Sequence, residues 1–303
     1  MRADTTRHAT LSPPSYAVGL RIISFVDTSR TLVFKRKHRH EREREPRTLL
    51  TEVLYPALGT PGATDVPDAP AASVDGPFPL VVFGHGFKVT PARYARLLQS
   101  WARAGYVVAA PTFPGENPAA PGGPQESDVV NEPGDMSFVI SRLLALNAGS
   151  GPLSHLIDPS SIAVAGHSDG AATALAVAYD PRFRDPRVRA AVILSGAELT
   201  SLGKFAFSAG GPPLLATQGT ADTMNLPSDT YHYFVAAWPP KYLLRLLGAT
   251  HLPPYTDQGP DLEIVERATR AFLDAYLKQT PGALAQLRID GIVPGRASLQ
   301  ADP

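Results

Sequence analysis

Two short runs, "PLVVF" at Pro79–Phe83 and "AAVIL" at Ala190–Leu194, are apolar at every position. A strand with one wet face alternates polar and apolar residues, so a strand without alternation is covered on both faces. A parallel sheet with helices packed on either side meets that requirement, and the rest of the chain supplies the elements it needs. Strands are expected at Arg21–Val26, Thr48–Tyr55, Leu80–Phe83, Tyr106–Ala110, Ile162–Ala165, Ala190–Leu194, Pro213–Thr217 and Tyr242–Leu246. Helices are expected at Arg93–Ala104, Asp135–Leu146, Gly170–Tyr179, Ser228–Ala237 and Asp261–Leu277. The last carries Leu262, Val265, Ala268, Phe272, Ala275 and Tyr276 at helical spacing, with charges between them. From Leu80 onward strands and helices alternate, which predicts an α/β fold with a mostly parallel central sheet flanked by helices on both faces. Residues 1–20 are read as an N-terminal extension and 21–303 as a single domain, long enough to bury a sizeable core.

The bulk properties exclude several classes of function. Twenty-eight basic and 28 acidic side chains cancel, so no global field favours nucleic acid or an anionic membrane. The chain has no cysteine, which rules out disulfides, thiolate metal sites and cysteine nucleophiles together. No apolar run approaches the roughly 18 residues of a membrane span. The first residues lack the apolar stretch of a signal peptide, which leaves the compartment open: cytoplasmic, or secreted with the signal already removed. Pro56–Pro79 and Pro111–Pro133, rich in proline and glycine, read as loops, the second at a strand's carboxyl end where open α/β sheets bind ligands. The run Lys35–Arg47 carries seven Lys or Arg and three Glu. In a chain with no net charge it reads as a solvated loop between the first two strands rather than a nucleic-acid tract. His38 and His40 within it have no carboxylate or cysteine cluster beside them to make a metal site.

Chemistry enters at Gly166-His167-Ser168-Asp169-Gly170. A G-x-S-x-G run between a buried strand and a helix is the pattern of a nucleophile elbow. Lifting the serine hydroxyl above the sheet edge strains its backbone, and side chains two residues to either side would clash, so glycine flanks it. The helix that follows shows Ala171, Ala172, Ala174, Ala176 and Ala178, small enough to lie close to the sheet. Ser168 is therefore the expected nucleophile. A serine hydroxyl needs a base, and the base needs an orienting acid. Downstream of Ser168 the only histidines are His232, inside a helical run, and His251, on a loop past a strand. The loop position suits a base, so His251 is expected to serve. Asp222, on the loop after Pro213–Thr217, is the expected acid, with Glu198 the alternative and Asp229 assigned to the start of the next helix. The oxyanion site is expected from the backbone N–H groups of Asp169 and Phe87, with His85 bracing the second loop by a hydrogen bond. Phe87, Phe113, Met224, Leu226, Trp238 and Leu252 lie near these loops in sequence and are the expected apolar walls for substrate. Asp169 is expected to turn its carboxylate away from the oxyanion site and to bond a neighbouring backbone donor or cation.

The stretches "RTLLTEVLYPA", "PLVVFGHGF", "YARLLQSWARAGYVVAAPTFPG", "AGHSDGA", "QGTADTMNLPSD" and "GATHLPP" together resemble the α/β-hydrolase superfamily. Within it they look most like the dienelactone-hydrolase-like esterases, a group that takes in chlorophyllases, platelet-activating-factor acetylhydrolases and cutinase-like polyester hydrolases. The resemblance implies a Ser168–His251–Asp222 triad, hydrolysis of a small-molecule or polymeric ester through an acyl-enzyme, and no cofactor. It differs from dienelactone hydrolases proper in lacking a cysteine nucleophile, and from bacterial polyester hydrolases in having Asp169 after the serine. Peptidase or acyltransferase chemistry could run on the same residues, but no sequence mark of either is present. The segment Ser195–Pro212 is too short for a helical cap, which predicts an open cleft suited to short-chain or exposed esters. Oligomeric state is not legible.

Overall fold

The computed structural model describes residues 15–36, 41–203 and 205–303. Among these residues ten strands form one sheet: β1 (Ala17–Phe34), β2 (Glu43–Ala57), β3 (Val66–Pro67), β4 (Phe78–Gly84), β5 (Val107–Thr112), β6 (Ile157–His167), β7 (Val188–Leu194), β8 (Leu214–Gly219), β9 (Lys241–Leu246) and β10 (Ala297–Asp302). The spatial order is β10-β9-β8-β7-β6-β4-β5-β2-β1-β3. The run from β5 to β9 is parallel, and β2, β1 and β10 add antiparallel at the flanks. This is the α/β-hydrolase fold. The apolar strands β4 and β7 lie in the middle, as their lack of alternation requires.

Among the described residues, seven α-helices cover the sheet: α1 (Ala95–Arg103), α2 (Glu132–Ala148), α3 (Asp169–Tyr179), α4 (Pro227–Ala236), α5 (Pro253–Thr256), α6 (Pro260–Tyr276) and α7 (Ala283–Gly291). Helices α2, α3 and α4 close one core with Met136, Ile140, Leu175 and Phe234. Helices α1, α6 and α7 close the other with Trp101, Phe272 and Leu287. The chain leaves β4 for one face and β6 for the other, so the strand order reverses between these two neighbours. At such a reversal the two following loops part and leave a crevice above the carboxyl ends of the strands. No helix among the described residues is long and apolar enough to cross a membrane.

Two expectations are corrected, and two elements with a weak sequence signal are added. Strand β1 begins at Ala17 and pairs with β2 from that residue, so the sheet reaches into the stretch assigned to an extension. The C-terminal α7 and β10 were not read from the sequence, because the alternating "ASLQAD" of an edge strand carries a weak apolar signal. The basic run is not a solvated loop along its whole length. Residues from Glu43 onward join β2, and Arg47 is fully buried. His38 and His40 lie outside the described residues.

Arg47 holds the loop after β5. Its guanidinium donates twice to Asp128, at 2.9 and 2.8 Å, and to Asp135 Oδ1 at 2.8 Å. Arg30 adds a second cation against Asp135, at 2.8 Å. Planar, fork-shaped donors suit two carboxylates at once, and the desolvated group keeps its charge because its partners are anionic. The segment 113–131, which would otherwise be a long surface loop, is thereby tied to the sheet. Arg47→Met should cost about 3–5 kcal/mol of stability, because two buried carboxylates lose their guanidinium, and Arg47→Lys should recover part of it. Denaturant unfolding checks both.

Candidate active site

Ser168 occupies the corner between β6 and α3 with φ +57° and ψ −121°. Such a conformation costs a non-glycine residue about 1–3 kcal/mol and persists only where its surroundings enforce it. Here they do so through glycines. A Cβ on Gly166 would run into the backbone of Gly170, and one on Gly170 would run into the carbonyls of Gly84 and His85. The first turn of α3 therefore lies directly on the ends of β6 and β4, and the serine side chain has only the crevice to enter. On its other side the loop after β4 comes close, since a Cβ on Gly86 would lie 3.0 Å from that of Ser168.

Ser168 Oγ is 2.9 Å from His251 Nε2, and His251 Nδ1 is 2.8 Å from Asp222 Oδ2. A carboxylate only accepts, so Nδ1 carries the proton and the Nε2 lone pair faces the serine hydroxyl. The Asp222 side chain is fully buried and is held by three further donors: the amides of Met224 (2.9 Å) and Asn225 (3.2 Å) and the Gln218 side chain (3.2 Å). Those bonds fix which oxygen meets the imidazole. The alternatives from the sequence lie elsewhere and meet each other, with Glu198 Oε2 3.4 Å from His232 Nδ1 on an exposed histidine. Asp229 accepts the Leu226 amide at 2.9 Å and caps the start of α4.

The Asp169 amide directly follows the serine in the chain, the Phe87 amide follows Gly86, which lies against Ser168, and neither donates to a protein acceptor among the described residues. His85 braces the first of them. Its Nδ1–H donates to the Gly86 carbonyl at 2.8 Å and its Nε2 accepts the Phe113 amide at 2.9 Å. Burial pushes its pKa down to about 4, so it remains neutral.

Of the expected wall residues, Met224 and Leu226 stand exposed on the loop that carries Asp222, and Leu252 is half-buried next to His251. Phe113 is not a wall. It is fully buried against the His85 ring and Gly84, because the strand-end position that suggested a cleft continues the core instead. Trp238 is also misplaced. Helix α4, about 15 Å long, separates it from the Asp222 loop, and the neighbouring Pro240 carbonyl receives the amide of Leu214 at the opposite end of β8. The carboxylate of Asp169 lacks its expected partner. Its Oδ2 is buried with no donor among the described residues. Burial, followed by the charge of Glu126, pushes its pKa up to about 6, with His251 opposing.

Sequence reasoning missed His167. Its Nε2–H donates to the His251 carbonyl at 2.9 Å, its Nδ1 accepts the Tyr94 hydroxyl at 2.8 Å, and Tyr94 Oη accepts the Gly86 amide at 3.3 Å. One buried relay thus ties the loop after β4, the serine corner and the His251 loop together. Burial, with the nearby His251, pushes the His167 pKa down to about 3 and keeps the ring in the neutral form that this relay needs. Only its place inside the elbow could have drawn notice. His167→Phe keeps an aromatic ring in place but leaves the His251 carbonyl without its donor and the Tyr94 hydroxyl without its acceptor. It should cost about 1–3 kcal/mol in thermal or denaturant unfolding.

The model of a family described as Chlorophyllase matches residues 68–192, a stretch that includes Gly86, Phe87, Ser168 and Asp169. Comparison with curated protein sequences finds no match. Among solved structures, a ferulic acid esterase from Streptomyces cinnamoneus is similar, with a TM-score of 0.64 at 21% identity, over 93% of this chain and 94% of that one. At that identity the likeness is one of fold.

Proposed function

We propose that the chain is an α/β-hydrolase in function as well as fold, a serine carboxylic-ester hydrolase working through Ser168, His251 and Asp222. The observation that carries the reading is the unbroken hydrogen-bonded line from Ser168 Oγ through His251 to Asp222. The Ser168 hydroxyl attacks the ester carbonyl as its proton passes to His251 Nε2. The Phe87 and Asp169 amides, turned toward no protein acceptor, suit the oxygen that becomes negative. Collapse of the tetrahedral species releases the alcohol with the proton from His251, leaving an acyl group on Oγ. A water that gives a proton to the same nitrogen then cleaves the acyl-enzyme. Asp222 holds the ring and offsets the positive charge it gains in each half.

The substrates we infer are short-chain or sterically exposed esters. Among its described residues, the connection from β7 to β8, residues 195–213, holds a short turn at Thr200–Leu202 and no helix longer than this, which supports an open crevice. Met224 is 73% exposed and Leu226 50%, beside the buried Asp222. That apolar lip favours a second reading within the same chemistry, hydrolysis of an extended or polymeric ester that lies across the surface.

Purified protein given chromogenic esters of graded chain length, feruloyl and other aromatic-acid esters, an aromatic polyester film and matched amides tests the reading. Esters should turn over, short chains fastest, and amides should not. Ser168→Ala should abolish turnover and labelling by an organophosphonate. Asp222→Asn should lower kcat by about 10⁴-fold, while Glu198→Gln leaves it unchanged. Labelling that survives in Ser168→Ala, or a larger loss in Glu198→Gln than in Asp222→Asn, would contradict the assignment.

A further inference from the structure

Behind the serine corner lie two carboxyl groups for which the hydrolytic reading has no use. Glu116, on the loop after β5, and Glu132, at the start of α2, are both fully buried. Glu132 Oε2 accepts the Thr173 hydroxyl of α3 at 2.7 Å, and the two carboxyl groups lie close enough to each other for a shared proton to join them. Neither Glu116 oxygen receives an N–H or a hydroxyl donor among the described residues, nor does Glu132 Oε1. Among the described residues, the charged groups that bear most on the pair are acidic. They are Asp169 on α3, Glu126 and Asp128 on the loop, and Asp135 on α2. The nearby guanidinium of Arg47 is taken by Asp128 and Asp135, and that of Arg30 by Asp135 and Asp27. Two neighbouring carboxylates that are both buried in an anionic setting strongly disfavour the doubly ionised state, and a proton held between them relieves it.

The position of Glu116 gives that proton a consequence. Its backbone carbonyl accepts the Lys88 amide at 2.8 Å, and Lys88 holds a left-handed φ of +60° directly after Phe87. The side chain of Glu116 therefore reaches α3 through Glu132 and Thr173, while its main chain holds the turn that aims the Phe87 amide. We propose that Glu116 and Glu132 share a proton, and that this uncharged pair clamps the Phe87–Lys88 turn to the helix following Ser168, so that loss of the proton releases the turn. Glu116 and Glu132 are then positioning residues for the oxyanion site. The kinetic part rests on the ester-hydrolase reading; the proton and the clamp do not.

Burial, reinforced by Asp169, pushes the Glu116 pKa up to about 9, and burial with Glu116 raises that of Glu132. A carboxyl raised in the folded state favours folding most below its ordinary value of 4.5 and loses that contribution as pH climbs to about 9. The test is carbon-13 NMR of the side-chain carboxyls in the wild-type protein, assigned with E116Q and E132Q. Glu116 should read as a carboxylic acid at neutral pH and ionise near pH 9, and the Lys88 amide signal should shift with the same midpoint. An ionised Glu116 and Glu132 at neutral pH would overturn the shared proton, and a Lys88 signal indifferent to the transition would overturn the clamp. In the kinetic arm, wild-type kcat should drop by up to about 10²-fold across the same transition with KM little changed, as for a displaced catalytic group. In E116Q/E132Q, whose amides keep hydrogen bonds but cannot ionise, that drop should vanish. An identical drop in the double variant would refute the coupling. If no ester is turned over, the hydrolase reading fails while the two NMR arms still decide the proposal.

Discussion

The site depends on how closely α3 approaches the sheet. Gly84, Gly166 and Gly170 meet where β4, β6 and the first turn of α3 converge, and a single added methyl at Gly166 or Gly170 would fall on backbone that has nowhere to go. Because these contacts are main chain against main chain, no rotamer change can relieve them. Ser168 is forced into its left-handed corner by that contact rather than by any bond of its own side chain. Everything else then assembles around a fixed hydroxyl. The loop after β4 lies against it through Gly86, and the loops after β8 and β9 bring Asp222 and His251 up from the far side.

Electrostatics divides the surroundings in two. The imidazoles of His85 and His167 are buried and kept neutral, so each can both donate and accept, and each joins two loops. The carboxyls gather on the α2–α3 side, where Asp128 and Asp135 have guanidinium partners and, among the described residues, Glu116, Glu132 and Asp169 have none. A group that can serve as donor and acceptor braces a loop without a charge to solvate. A carboxyl without a cation does the same only while protonated.

What could be read from the sequence follows from how local each signal is. The elbow is legible because the backbone problem and its glycine solution lie within five residues. His251 and Asp222 are legible because strand order puts their loops at one edge. His167 is hidden because its partners, Tyr94 and the His251 carbonyl, are distant in the chain and one of them is main chain. Phe113 and Trp238 were assigned by nearness in sequence, which says nothing of whether a side chain points into the core or a helix leads it to the other end of the sheet. Arg47 sat in a run of charges whose other members suit solvent. Nothing local distinguishes the one whose partners lie 81 and 88 residues later.

That span has a consequence for how the chain acquires its shape. Strand β2 pairs with β1 through a local connection, but Arg47 has nothing to bond until the segment around Asp128 and Asp135 has been made and brought across β5. Contacts of such high sequence separation must first meet the entropy of closing a long loop, and they form late. A partly folded chain would therefore hold a bare guanidinium on a formed hairpin and an acidic segment still loose, each soluble by its own charge. The ion pairs that anchor the finished loop would, until they close, keep the two pieces hydrated and apart from other chains.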